Sequence, residues 1–64
     1  MVYCALLFIP KDIKSRSILF PTAPCVGDLI MLDVNGNGET KFYIVKKRVF
    51  DINRGISLEL DYAF

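Results

Sequence analysis

The chain is 64 residues long, 53% hydrophobic and 23% charged, with eight Lys and Arg against seven Asp and Glu, a net charge of +1 and no histidine. That length allows one small β domain, residues 1–64, near the size where a single core only just outweighs chain entropy, and the charge balance excludes a global field that would steer it to nucleic acid. The absence of histidine removes the usual general base and the commonest metal ligand.

So apolar a composition in so small a body predicts that greasy side chains stay exposed or meet another chain. Self-association is the first expectation, and an unusually oily monomer is its alternative. Cys4 and Cys25 could form one disulfide. Without a secretory signal they read instead as reduced cytoplasmic thiols.

In chain order, Val2 to Ile9 is apolar on both faces, Tyr3, Ala5, Leu7 and Ile9 opposing Val2, Cys4, Leu6 and Phe8. It is too short to span a bilayer and lacks the flanks of a signal peptide, so it reads as a strand covered twice. The second cover is either a loop over a closed barrel or a neighbouring subunit. Pro10 ends it, since proline cannot donate to a ladder. Lys11 to Arg16 is a polar connection, and Ser17 to Phe20 is either an edge strand or a packed loop. Pro21 and Pro24 hold the next segment extended.

Val26-Gly27-Asp28 reads as a turn that launches a strand over Leu29 to Val34. In it Ile30, Leu32 and Val34 share one face, with Leu29 and Met31 on the other. Asn35 to Thr40 is the strongest turn signal and joins this run to a strand beginning at Lys41. Asn53-Arg54-Gly55 then closes a second hairpin onto Ile56 to Phe64. There Ile56, Leu58, Leu60, Tyr62 and Phe64 alternate with Ser57, Glu59, Asp61 and Ala63, as one buried and one wet face require. The prediction is an all-β fold, a small antiparallel four- to five-stranded SH3-like barrel or meander without helix.

The order Pro24, Val26-Gly27-Asp28, a hydrophobic run, a Gly-rich turn, Tyr43 and Val45, and the alternating Ile56 to Leu60 resembles the core of SH3-like small barrels. It also resembles short uncharacterised bacterial and phage open reading frames of that shape. The resemblance covers about the last forty positions, and the first twenty residues have no counterpart in it. It implies a binding or assembly role more often than catalysis.

Candidate sites are few. Asp33 to Glu39 copies the first half of a calcium loop, but Ile44 stands where a bidentate Glu belongs, so an Asn- and Gly-rich hairpin turn accounts for it. Lys46-Lys47-Arg48, with Tyr43 and Phe50 nearby, could contact phosphates and stack bases. Strict alternation would place Lys46 and Arg48 on one face and Lys47 on the other, and Glu59 and Asp61 could neutralise them across the hairpin. Lysines also discourage pairing at a strand edge. Paired carboxylates on an outward face need no catalytic explanation. Two cysteines without histidine cannot complete a tetrahedral zinc site in one chain.

No enzyme activity, cofactor, metal, membrane contact or small-molecule substrate is inferred. The leading expectation is a cytoplasmic protein-interaction or assembly module, homo-oligomeric or bound to another protein, acting through Tyr3, Leu7, Ile9, Phe20, Phe50, Tyr62 and Phe64. Ile44, Leu58 and Leu60 are assigned to the core. A nucleic-acid-binding barrel using Lys46, Lys47, Arg48 and Tyr43 is the alternative.

Overall fold

A computed structural model describes all 64 residues as five strands: β1 (Val2–Phe8), β2 (Arg16–Phe20), β3 (Leu29–Leu32), β4 (Lys41–Asp51) and β5 (Gly55–Tyr62). They form one sheet in the order β2-β1-β5-β4-β3, curled into a half-barrel whose edges, β2 and β3, do not pair with each other. The all-β expectation holds, and Ser17 to Phe20 does pair, as edge strand β2 along β1.

One ladder departs from the antiparallel pattern. β1 and β5 run parallel, from Cys4 opposite Ile56 to Phe8 opposite Leu60, which makes the sheet mixed. Parallel neighbours cannot be joined by a tight turn, and here the other three strands form the connection. This places β1 between β2 and β5, an interior strand, in keeping with its lack of a polar face. The Ile9 amide still donates to the Leu60 carbonyl at 2.8 Å. Pro10 follows, and the ladder stops there.

Local chemistry sets the turns. Cys25 to Asp28 closes with the Asp28 amide on the Cys25 carbonyl at 3.0 Å and Gly27 at φ 94° in the third position, a type II arrangement that requires a residue tolerant of positive φ. The Asp28 carboxylate accepts the Cys25 amide at 2.7 Å. In the β3–β4 loop the two Asp33 oxygens accept the amides of Gly36, Asn37 and Gly38 at 2.7 to 3.3 Å. The carboxylate that opens the calcium-like motif therefore organises its own turn. In the β4–β5 hairpin Asp51 Oδ1 accepts from Asn53 at 2.8 Å and Arg54 at 3.2 Å, and Gly55 begins β5 at φ 87°.

The core lies in the hollow of the half-barrel. Cys4 and Leu6 from β1, Ile30 from β3, Tyr43 and Val45 from β4, and Leu58 and Leu60 from β5 are buried, with Val2, Phe8, Ile18, Phe20, Leu32 and Ile56 packed against them. Each fully buried leucine or valine among them contributes roughly 1.5–3 kcal/mol of transfer free energy. Ile44 is not among them: Tyr43 and Val45 take the inner positions, so Ile44 lies on the outer face, half-buried between Leu29 and Asp61.

Seven residues make a small core. Fourteen large apolar side chains stand exposed, twice that number. The accessible surface is 4570 Å², against roughly 4,200 Å² expected from size scaling of compact monomers at this mass. The open edge and bare outer face account for the excess.

Candidate functional site

Three surfaces carry side chains beyond the needs of the fold. The largest is the convex outer face of the sheet. β1 contributes Tyr3, 71% exposed, and Leu7, 47% exposed, with Ile9 just past its end. On edge strand β2, Leu19 stands directly opposite Tyr3. At the far side of the sheet β3 contributes Leu29 and Met31, and β4 contributes Phe42 opposite Met31. Phe64 packs edge-on against Phe42, ring centres 5.7 Å apart and planes at 81°.

Between these apolar flanks runs a polar stripe from β5, Ser57, Glu59 and Asp61, with Glu59 facing Lys47 across the ladder. No loop folds back over either flank. Of the two covers open to β1, the loop over its second face is thus ruled out.

The seven predicted partner-binding residues do not form one patch. Tyr3, Leu7 and Ile9 share the outer face as expected. Phe20 is corrected: it is half-buried and packs on the core, because its parity in β2 matches that of Ile18. Phe50 and Tyr62 are exposed, yet they belong to the inner side, at opposite ends of the β4–β5 ladder, opposite Ile56 and Tyr43 respectively. Leu19, Leu29, Met31 and Phe42 were not singled out from sequence. Their signal was parity, since each alternates with a core residue on its own strand.

The second surface is the cationic run. A β-bulge between Val45 and Lys47 inserts Lys46 without a partner and shifts the phase of β4, so that Lys47 faces Glu59 and Arg48 faces the buried Leu58. Arg48 is thereby engaged inside, its guanidinium 4.9 Å from the centre of the Phe50 ring and its Nη1 donating to Cys25 Sγ at 3.1 Å. Tyr43, assigned to base stacking, is corrected: it is 0% exposed, with Phe8 edge-on at 5.4 Å and Tyr62 stacked at 5.6 Å. The run thus offers two free lysines and, at its end, the exposed Phe50 ring, which Arg48 already lies against.

The third is a polar recess of about 270 Å³ at the end of the ladder where Tyr43 meets Tyr62. Five segments build it: the β1–β2 connection with Asp12 and Lys14, the start of β2 with Arg16, the β3–β4 loop with Asn35, the Lys41–Tyr43 entry to β4, and Tyr62 at the end of β5. Arg16 Nη2 donates to the Val34 carbonyl at 3.2 Å and ties β2 to that loop. Arg16 Nε and the Tyr43 hydroxyl are shut off from solvent without a partner. A buried polar group left so costs roughly 1–3 kcal/mol.

Burial pushes the Tyr43 phenol above its usual 10.0, and the neighbouring Tyr62 and Asp12 push the same way while Arg16 partly offsets them. The hydroxyl therefore keeps its proton and remains a donor at neutral pH. Nothing in the sequence pointed here, because its parts lie tens of residues apart.

Compared with protein-family models, curated proteins and solved structures, the chain finds no match in any of the three.

Proposed function

We propose that the protein is a non-catalytic assembly module that pairs with a second copy of itself through the outer face of its sheet. The observation that carries this reading is the opening strand. Cys4 and Leu6 are fully buried while Tyr3 and Leu7, which flank them, face water, and β1, an interior strand flanked by a parallel neighbour, calls for cover on both sides.

A second copy suits this face. Net charge is near neutral, so copies do not repel strongly. Each copy presents two apolar flanks about a polar stripe holding both signs, Glu59 and Asp61 with Lys47, which is a pattern that a two-fold axis can make self-complementary. Two such sheets would stack face to face at about 10 Å.

Five strands at about 4.8 Å spacing make a face roughly 20 Å across. That is the low end of specific interfaces, so the association should be weak and reversible. Nucleic-acid binding has less support, since Tyr43 is buried and the Arg48 guanidinium is already held by Cys25 and the Phe50 ring.

Sedimentation velocity tests the proposal. From about 1 to about 100 µM the weight-average mass should climb from 7.3 kDa toward twice that value. Replacing Leu7→Lys should hold it at the monomer without lowering the melting temperature of the dilute protein. A single 7.3 kDa boundary at every concentration would refute self-pairing.

A further inference from the structure

The polar recess lies on the inner side of the half-barrel, away from the face assigned to self-pairing, and the fold uses only part of its hydrogen-bonding capacity. Its lining holds three cations, Lys14, Arg16 and Lys41, against one carboxylate, Asp12. Its two orphaned polar atoms, Arg16 Nε and the Tyr43 hydroxyl, are both able to donate. Lys14 and Lys41 are exposed at the opening, whereas Tyr43 is wholly enclosed.

Donors without partners at the base, cations at the opening and a local charge of +2 describe a site for an oxyanion. We propose that this recess binds a phosphate group, with the Lys14 and Lys41 ammonium groups neutralising its charge at the opening and a small shift of the enclosed floor letting Tyr43 Oη and Arg16 Nε donate to two of its oxygens.

Phosphate is favoured over carboxylate by charge, since the local +2 matches a dianion. About 270 Å³ also leaves room for more than the bare ion, so the phosphate can arrive free or as a monoester. Tyr62, stacked on Tyr43 with Lys41 Nζ 5.9 Å from its ring centre, would flank the ester substituent.

Amide NMR titration at pH 7 and constant ionic strength tests the assignment, with inorganic phosphate, ribose 5-phosphate and acetate as the three probes. Inorganic phosphate should cause saturable shifts of Ile13 to Arg16 and of the β3–β4 loop. Ribose 5-phosphate should bind more tightly if the natural source is a monoester and equally if it is the free ion. Tyr43→Phe should weaken phosphate binding about tenfold, the loss of one hydrogen bond to a charged acceptor, and at the same time raise the melting temperature of the free protein. A purely structural tyrosine would not give that opposed pair of effects. Lys14→Gln, on an exposed side chain that the fold does not need, should weaken binding several-fold and shallow its salt dependence. Non-saturable shifts with phosphate, acetate binding as tightly as phosphate, or unchanged affinity in both variants would overturn the proposal. None of these results bears on self-pairing, which the sedimentation experiment reads separately.

Discussion

On β1 and β3 the two faces of this sheet are made from nearly the same kinds of side chain and have opposite fates. On the inner face Cys4, Leu6 and Ile30 are buried, while on the outer face Tyr3, Leu7, Leu29 and Met31 lie open. On these strands hydrophobicity does not decide which side becomes the core; only β5, with Ser57, Glu59 and Asp61 outward, marks it by polarity. Curvature decides it, because a curled sheet crowds side chains together on its concave side and splays them apart on its convex side. These 64 residues form one sheet and lay no second layer over its convex side.

The sharpest way to break this comparison uses adjacent leucines. Leu6 and Leu7 are neighbours on β1 and point to opposite faces, one fully buried and the other half exposed. Leu6→Ala should cost about 2–5 kcal/mol by loss of transfer free energy and by the cavity left behind. A domain of this size commands only about 3–10 kcal/mol in all, so the variant should be largely unfolded at 37 °C. Leu7→Ala in dilute solution should change stability by no more than about 0.5 kcal/mol. Urea midpoints by circular dichroism give both values, and equal losses at the two positions would mean that the outer face is covered in the monomer after all.

How much of this was legible beforehand depends on the reach of each interaction. The alternation of β5 and of Ile30 and Leu32 could be read off because period two is a local signal, and the turns at Gly27 and Gly55 could be read because one residue type satisfies their backbone. The bulge at Lys46 could not, since it is fixed by where Glu59 and Leu60 fall on the partner strand. The parallel β1–β5 ladder joins the two ends of the chain, and no local pattern encodes such a pairing. The exposed candidates fared the same way. Tyr3 and Leu7 followed from a strand with two apolar faces, whereas Tyr43 was misplaced because an aromatic beside cations looks alike in a groove and in a core.

A middle-sized effect separates the backbone contribution from that of either face. Gly55 opens β5 at φ 87°, and a methyl group added there would meet nothing within 4 Å. Gly55→Ala should therefore lose about 1–2 kcal/mol through backbone strain alone, with no change in packing on the inner or outer side. Thermal unfolding would show the loss. A variant as stable as the parent would mean that the hairpin reaches its register without a positive φ at this position.

The smallest effect concerns the two thiols, one on each side of the boundary between sealed and open. Cys4 sits in the core and Cys25 in an exposed turn, both free. Burial pushes the Cys4 thiol above its ordinary 9.0, because a thiolate among Leu6 and Leu58 would lose its hydration. The folded state thus holds this proton at a pH where the unfolded chain releases it. Its contribution to stability is intact below about pH 9 and is lost as pH rises through that value toward the folded one. Urea stability should be flat from neutrality to that point and decline above it, before the Tyr43 phenol adds its own loss in the same direction beyond 10.0. Replacing Cys4→Ala should remove the first part of the decline and leave the second. Thiol labelling of the native protein gives the kinetic counterpart: the exposed Cys25 should react without any opening of the fold, and Cys4 only as fast as the sheet opens. Equal rates at the two positions would show that the concave side is no better closed than an exposed turn, and the sealed inner face would fall with it.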